Sequence, residues 1–379
     1  LLKDIKIYGG FNGTETQLIE RDWMANPTIL SGDIDNNSGD NFNNSYHVLI
    51  AANLTNKTIL DGFTIRGGNA NGGNTTITFG NPSQTFRRDI AGGVYNVKSS
   101  PKISNSMLRN NYGDFGGGLY NDLSSAEIDN SIFWQNSAAQ GAGIFNNGSS
   151  IPVISNTTIY GNVASNSGGG IFNTASDPVV TNTIFWNNTK GGLNNTAGAD
   201  FFNSSGTPVI TYCLVQSGSS YLNGLGNLSN ENPNFIDATN GDFKLSTTSS
   251  VINKGNNLAV ISPKDMANQL RIKLGKVDMG AFEFQGTPYT NAIYVKVNAT
   301  GNNDGSSWQH AYTDIQTAID EQSSALDIWV AQGTYLPLMD HEGNTTPNDP
   351  RSKTFHLSRD MKIYGGFIGS ETLLSQRNW

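Results

Sequence analysis

The sequence predicts an all-β protein, a parallel β-helix solenoid with a short amphipathic capping helix. Three observations predict this fold: many turn-forming residues, short apolar runs and a short internal repeat. The chain of 379 residues contains 43 glycines and even more asparagines, and both residue types tolerate the left-handed backbone conformation that tight turns need. The apolar runs between these turns are two to five residues long, which is typical of strands and too short for helices.

The short repeat consists of two motifs that alternate along the chain. The first motif, GGVYN, GGLYN, AGIFN and GGIFN, ends at Asn96, Asn121, Asn146 and Asn173. The second motif, ISNSMLRNN, IDNSIFWQN, ISNTTIYGN and VTNTIFWNN, has its first asparagine at Asn105, Asn130, Asn156 and Asn182. The spacing is 25 to 27 residues. A coil of this length cannot bury its apolar side chains alone, but stacked coils with parallel strands can.

The columns of like residues suggest what faces the core and what holds the turns. Apolar positions such as Ile103, Ile128, Ile154 and Val180 align, and we expect them to face inward. The eight motif asparagines allow two interpretations. Their side-chain amides can hydrogen-bond from coil to coil as structural ladders, or they can serve only the turns. We expect structural ladders combined with turn chemistry, and turn chemistry alone is the alternative.

A much longer repeat predicts tandem modules. The sequence LLKDIKIYGGFNGTETQLIERDW at residues 1–23 returns as LSRDMKIYGGFIGSETLLSQRNW at residues 357–379, with fourteen of 23 positions identical and a spacing of 356 residues. We therefore expect the chain to be one period, plus overlap, of a longer array. The expected partners of each module are neighbouring copies of itself, in tandem or end to end.

The long repeat also predicts domain boundaries. Residues 1–285 are expected to form a β-helix module that lacks its own N-terminal cap. Within it, residues 69–90 form an inserted loop and residues 234–285 form the C-terminal coils and cap. Residues 286–291 are expected to be a linker, and residues 292–379 the N-terminal cap and first coils of the next module.

The capping helix is predicted from a start signal and an apolar stripe. Thr313 opens the sequence TDIQ, the Ser/Thr-x-x-Gln signature of a helix start. Ile315, Ala318 and Ile319 follow at helical spacing. Because the end of a solenoid exposes apolar side chains unless it is capped, we expect this helix to lie over the first coil.

The composition argues against several functions. The net charge of −8 disfavours nucleic-acid binding, and no apolar run is long enough to span a membrane. Between Asn96 and Asn188 the acidic residues are few and share no column. We therefore expect no catalytic residues and no enzyme activity.

One acidic pattern and one tripeptide motif are the remaining candidate sites. The sequence DIDNNSGDN alternates oxygen-bearing side chains at Asp33, Asp35, Asn37 and Asp40. The glycine and the closing glutamate of a calcium loop are misplaced there, so we expect no cofactor, with calcium at this site as the alternative. The sequence Asn-x-Ser/Thr marks possible glycosylation sites of an exported protein at Asn12, Asn53, Asn74, Asn147, Asn203, Asn227, Asn298 and Asn344.

The motifs resemble those of known surface proteins. The GG-[LIV]-[FY]-N and F-W-x-N elements resemble the repeats of polymorphic outer-membrane adhesins. The segment SVINKGNN…DMANQLRIKLGKVDMGAFEF is similar to the choice-of-anchor Q family of large β-helix surface proteins exported by Bacteroidetes-type bacteria. The resemblance implies a right-handed parallel β-helix, secretion to the cell surface and an adhesive role, with host or cell-surface glycans as candidate partners.

We therefore expect a non-enzymatic, extracellular structural or adhesive repeat module of a giant surface protein or filament. Two alternatives stay open. One is a carbohydrate-active, pectate-lyase-like β-helix enzyme, which a groove with clustered acids would favour. The other is a passive stalk that spaces a distal binding domain from the cell.

Overall fold

The computed structural model of the chain describes residues 1–37, 41–216, 224–273, 275–286, 292–305, 307–321, 327–357, 361–371, 374 and 377–378. The chain divides into two compact units, Leu1–Gln285 and Gly286–Trp379. This division falls where the sequence predicted the linker 286–291 to begin. Residues 287–291 of that linker lie outside the described residues.

The first unit is a parallel β-helix, which confirms the fold predicted from the repeats. Four parallel sheets, named I to IV here, run along it. One coil visits each sheet once, through Leu119–Asp122 in sheet III, Glu127–Asp129 in sheet I, Ile132–Trp134 in sheet II and Ser137–Gln140 in sheet IV. Equivalent residues of successive coils pair in register, as Asn121 does with Asn146.

The strands of the four sheets have the following bounds. Sheet I contains Lys6–Tyr8, Ile59–Asp61, Lys102–Ser104, Glu127–Asp129, Val153–Ser155, Val179–Thr181 and Val209–Thr211. Sheet II contains Thr28–Ser31, Phe63–Arg66, Met107–Arg109, Ile132–Trp134, Thr158–Tyr160, Ile184–Trp186, Leu214–Val215 and Leu228–Ser229. Sheet III contains Leu49–Ala52, Val94–Val97, Leu119–Asp122, Ile144–Asn147, Ile171–Asn173 and Phe201–Asn203. Sheet IV contains Asn69–Ala70, Tyr112–Phe115, Ser137–Gln140, Val163–Ser167 and Thr189–Lys190.

The corners of each coil explain the abundance of asparagine and glycine. In one coil the corner residues are Lys98, Asn105, Asn110 and Gly116, with φ of 48°, 48°, 53° and 66°. This left-handed conformation costs a residue with a β-carbon roughly 1–2 kcal/mol, and least of all asparagine. The chain therefore changes direction in one residue and passes directly into the next short strand.

The core lies inside the four sheets and is built from stacked apolar columns. Ile103, Ile128, Ile154 and Val180 form one column, and each is at most 1% exposed. Columns from sheets II and III complete the core, among them Leu108, Phe133, Ile159, Phe185, Val94, Leu119, Ile144 and Ile171. Because the strands pair in register, every coil seals the apolar interior of the next.

The predicted inserted loop, residues 69–90, is partly built into the solenoid. Asn69–Ala70 is a strand of sheet IV, and an antiparallel hairpin of Thr76–Phe79 and Gln84–Arg87 follows. The Phe86 side chain is fully buried, and its ring lies 5.0 Å from that of Tyr95 on the outer face of sheet III. The hairpin therefore covers the Tyr95 ring on the outer face of sheet III.

Residues 234–285, named the flank segment here, differ from the expected C-terminal coils and cap. They form two antiparallel pairs, Phe235–Asp237 with Asp242–Leu245 and Ile272–Lys273 with Lys276–Val277. Short 3-10 helices lie at Ala238–Asn240 and Asn257–Ala259.

The flank segment runs along the outer face of sheet II instead of adding coils. Its backbone hydrogen-bonds to Asn182, Thr158 and Asn130. Trp23 Nε1 in turn donates to the Met266 carbonyl at 2.8 Å. The Trp134 ring of sheet II packs edge to face against the Phe243 ring of the flank segment, with ring centroids 5.6 Å apart. These anchors join residues far apart in sequence, so the local sequence pattern did not reveal them.

The second unit contains a three-stranded parallel sheet and the predicted helix. The strands are Ala292–Val295, Asp327–Ala331 and Lys362–Phe367, and the helix is Ile315–Glu321. The Asp314 carboxylate accepts the Thr317 N–H at 2.7 Å, so the helix begins one residue later than the predicted start at Thr313. Ala318 and Ile319 are fully buried against Ile293 and Ile328 on one face of this sheet.

Candidate functional site

The first predicted ladder forms over part of its length. Asn96 Nδ2 donates to Asn121 Oδ1, and Asn121 Nδ2 donates to Asn146 Oδ1, both at 3.0 Å. Asn173 Nδ2 donates instead to Asn203 Oδ1 at 2.7 Å. No hydrogen bond joins Asn146 to Asn173 among the described residues, where the repeat step lengthens to 27 residues. These asparagines are fully buried inside sheet III and therefore act as a ladder.

The asparagines of the second predicted column form turns and also part of a ladder. Asn105, Asn130, Asn156 and Asn182 all have positive φ, between 46° and 52°, so they are turn residues. Two neighbouring pairs also join, Asn130 Nδ2 to Asn105 Oδ1 at 3.4 Å and Asn182 Nδ2 to Asn156 Oδ1 at 3.0 Å. Asn156 Nδ2 donates to the Asp129 carboxylate instead of to Asn130.

A third amide ladder escaped the sequence analysis and is the most regular. It consists of Asn111, Asn136, Asn162 and Asn188, at most 1% exposed, and successive amides are joined at 2.9–3.0 Å. Each of these residues ends one of the quoted ISNSMLRNN-type motifs, directly after a left-handed corner residue. The signal was therefore present, but the two adjacent polar residues look like an ordinary turn.

The proposed calcium ligands form a turn through their own hydrogen bonds. The Asn37 N–H donates to the carboxylates of Asp33 and Asp35 at 3.1 and 3.2 Å. The Asn43 amide donates to Asp35 at 3.3 Å, and this hydrogen bond lowers the pKa of Asp35. Asp40 lies outside the described residues. In the described part of the chain, no three acidic, histidine or cysteine residues are grouped as metal ligands.

The glycosylation candidates separate into two groups by exposure. Asn12, Asn74, Asn298 and Asn344 are exposed. Asn53, Asn147, Asn203 and Asn227 are half-buried, and their side-chain amide nitrogens donate to Pro82, Asp122, Gly206 and Ile210. A glycan attaches to that nitrogen. The amide nitrogen of the exposed Asn344 also donates, to Asp340 Oδ2 at 3.1 Å, so Asn12, Asn74 and Asn298 are the accessible acceptors.

A groove of about 310 Å³ beside sheet I is bordered by five charged residues. They are Arg21, Asp61, Lys102, Glu127 and Asp129. Arg21 Nη2 lies 2.8 Å from Asp61 Oδ1, and Lys102 Nζ lies 3.0 Å from Glu127 Oε1. The acids of the central coils alone do not predict this cluster, because Arg21 and Asp61 come from earlier coils.

Two carboxylates of this groove are ion-paired, Asp61 with Arg21 and Glu127 with Lys102. The third, Asp129, has one oxygen, Oδ2, that is buried without a hydrogen-bond partner in the described part of the chain. Asp129 is 2% exposed and accepts from Ser155 Oγ and Asn156 Nδ2, both at 2.9 Å. Its charge interacts with the buried Arg271 of the flank segment. General acid–base catalysis needs a group placed to exchange its proton with a substrate. The ion pairs Arg21–Asp61 and Lys102–Glu127 each join neighbouring coils.

A buried charge cluster stabilises the flank segment. Arg271 is fully buried. Its Nη2 donates to the Gly280 carbonyl, whereas its Nε and Nη1 have no hydrogen-bond partner among the described residues. The charges of Glu283, Asp265 and Asp278 act on it from nearby. Backbone N–H groups donate to all three acids, including Lys273 N to Glu283 Oε1 at 2.9 Å. Burial, followed by the nearby charge of Asp278, raises the pKa of Glu283 to about 8. Burial also raises the pKa of Asp278 to about 6.

This cluster predicts a pH-dependent stability. The pKa of Glu283 is higher in the folded than in the unfolded chain, where it is near 4.5. The folded chain therefore binds the proton more tightly, and the free energy of unfolding should fall as the pH rises from about 5 to 8, by roughly 1–3 kcal/mol. Chemical denaturation across this range measures it. The variant Glu283→Gln should flatten the slope, whereas exposed Glu342→Gln should not. An unchanged slope in Glu283→Gln would contradict the assignment.

The described residues of the long repeat share two local features in both copies, which are named the first segment (residues 1–23) and the second segment (residues 357–379). The Glu15 carboxylate accepts the N–H groups of residues 12 to 14, and the Glu371 carboxylate accepts those of residues 368 to 370. Arg21 lies 5.0 Å above the Tyr8 ring, and Arg377 lies 5.0 Å above the Tyr364 ring.

Comparison with protein-family models and with curated protein sequences finds no match. Among the described residues, no helix has the length and apolar character needed to cross a lipid bilayer. The function must therefore be inferred from the solenoid, its charge clusters and the two copies of the repeated segment.

Proposed function

We propose that the chain is a non-enzymatic, extracellular structural module, one unit of a repeat-built surface fibre or filament. The observation that carries this proposal is the repeated segment, which folds in the same way in both units through the Glu15 and Glu371 turns. One copy joins a solenoid through Ile59–Asp61, and the other joins a cap sheet through Asp327–Ala331. Such a segment belongs at a junction between modules.

The buried amide ladders also support a structural role. They hydrogen-bond successive coils to one another inside the solenoid, most regularly through Asn111, Asn136, Asn162 and Asn188. The ion pairs of the groove beside sheet I also support a structural role. The adhesive role implied by the resemblance is the further part of the proposal, with exposed loops such as the hairpin Thr76–Phe79 and Gln84–Arg87 as contact points.

This proposal predicts how particle length depends on copy number. A chain of two periods, residues 1–356 followed by residues 1–379, should be longer than the 379-residue chain by at least about 30 Å at constant width, because the seven sheet I strands of a period stack at about 4.8 Å. Negative-stain electron microscopy measures the lengths. Two globules at variable distance would argue against a structural fibre.

The groove beside sheet I is the one observation that favours the carbohydrate-active alternative, because it gathers Asp61, Glu127 and Asp129. That alternative predicts cleavage of acidic polysaccharides such as polygalacturonate, lost in Glu127→Gln. No cleavage by the intact chain, with and without calcium, is the outcome expected for a structural module. Binding to immobilised glycans would separate an adhesive fibre from a passive stalk.

A further inference from the structure

We propose that the exposed side of the first segment is a docking surface for the cap region, residues 292–335, of another copy of this chain. The inference rests on the proposed function and specifies how modules join. It follows from a comparison of the two copies of the repeated segment. Each copy is covered by the rest of the chain on a different side.

One side of the repeated segment is covered only in the second copy. Phe367 is 1% exposed, whereas its counterpart Phe11 is 41% exposed. Likewise Gly369 is buried and Gly13 is exposed. An aromatic side chain that is buried in one copy and open to solvent in the other marks a surface prepared for contact.

The opposite side is covered only in the first copy. Arg21 is 7% exposed and ion-paired with Asp61 of the next coil, whereas Arg377 is half-buried. Gly9 is buried beneath Gly62 and Thr28, whereas Gly365 is exposed. The contacts made by the first copy and those made by the second copy therefore lie on opposite sides of the segment. One segment can make both sets of contacts at the same time.

The cap region supplies the contacts that the first segment lacks. The Trp329 ring stacks on Phe367 with centroids 4.7 Å apart. Trp308 Nε1 donates to the Glu371 carbonyl at 2.7 Å, and Lys296 Nζ donates to the Gly369 carbonyl at 3.2 Å. Phe11, Glu15 and Gly13 occupy the equivalent positions of the first segment and would receive the same three contacts.

Strand addition completes the junction. Asp327–Ala331 pairs in parallel with Lys362–Phe367, with Ile328 opposite Ile363. Lys6–Tyr8 is the edge strand of sheet I, and Ile7, the counterpart of Ile363, packs against the solenoid core. Docking in this register extends sheet I by two strands and places the helix Ile315–Glu321 over the end of the core.

The second segment of the same chain already fills the cap region, so another copy has to displace it by exchanging equivalent strands. The variant Phe367→Ala weakens the resident segment and leaves Phe11 intact. We expect its mass, measured by light scattering, to rise with concentration from 40.7 kDa to at least twice that value. The double variant Phe11→Ala/Phe367→Ala should stay at the monomer mass, as should the exposed control Ile368→Ala.

Assembly of the double variant to the same extent as Phe367→Ala would overturn the proposal, and so would a monomeric Phe367→Ala chain at every concentration. A second measurement does not depend on the folding of that variant. Isotope-labelled chains carrying a benzophenone side chain at position 11 are mixed with unlabelled wild-type chains and irradiated. Crosslinks from labelled chains to unlabelled peptides containing Trp308 or Trp329 are expected, and crosslinks elsewhere or none would overturn the proposal.

These results separate the junction from the proposed function. If two-period chains form rods but no such crosslink appears, the chain is a fibre module that joins in another way. If the crosslinks appear but the two-period chains form no rods, copies dock without building a continuous fibre, and the proposed function fails alone.

Discussion

Replacement of Arg271 by methionine should lower the free energy of unfolding by about 1–3 kcal/mol at pH 8, because it leaves buried carboxylates without the positive charge that acts on them. Arg271 is fully buried and carries the positive charge that faces Glu283, Asp265 and Asp278. Methionine preserves much of the side-chain volume, so the loss comes mainly from uncompensated carboxylates. Urea denaturation followed by tryptophan fluorescence measures the change.

The dependence of this cost on pH distinguishes a loss of charge interactions from a loss of packing. At pH 5 the raised pKa of Glu283 leaves that carboxyl protonated, so the cost of Arg271→Met should be smaller than at pH 8. The exposed Lys276→Met on the same flank segment is the matched control and should change stability by less than about 0.5 kcal/mol. An equal cost for Arg271→Met at both pH values would show that its charge is not what stabilises the flank segment.

The variant Asn136→Ala should destabilise the solenoid by about 3 kcal/mol, because it breaks the third ladder at a fully buried position. Asn136 Nδ2 donates to the Leu108 carbonyl at 2.8 Å and to Asn162 Oδ1 at 3.0 Å. Its Oδ1 accepts from the backbone and side chain of Asn111. Alanine removes these four hydrogen bonds, although Asn111 Nδ2 still donates to the Ile65 carbonyl and Asn162 Oδ1 still accepts the N–H of residue 136. Thermal and urea unfolding measure the loss.

Asn166→Ala is the matched control for the ladder prediction. Asn166 is exposed in the strand Val163–Ser167 of the same solenoid, so its replacement should cost less than about 0.5 kcal/mol. Equal costs at Asn136 and Asn166 would contradict the view that the ladder, and not asparagine content in general, stabilises the stack.

The parallel β-helix could be predicted because its cause is local and repeated. Each coil places one apolar residue, such as Ile128 or Phe133, at the same position as its neighbour, so sequence spacing maps directly onto the stack. The motif asparagines at 96, 121 and 146 join as the spacing suggests. The ladder pauses after Asn146, although Asn146 and Asn173 pair in register, so the sequence pattern did not reveal the break.

The flank segment could not be predicted because its contacts have no period. Asn130 binds the Lys264 carbonyl and Thr158 binds the Ala281 N–H, pairs more than 120 residues apart. The same reason hid the charge cluster, since Asp265, Arg271 and Glu283 follow no motif spacing. The junction surface was missed for another reason: the identity of residues 1–23 and 357–379 shows a repeat, but only burial distinguishes Phe11 from Phe367.

The path of the flank segment has a mechanical consequence. The hydrogen bonds between strands of successive coils lie along the solenoid axis, so a pull along that axis loads them in tension one layer at a time. The flank segment crosses the same layers covalently, from the Asn182 contact to the Trp23–Met266 hydrogen bond. We expect it to share the load as a tether, so that a fibre stretched between two surfaces yields first at coils that the tether does not cross.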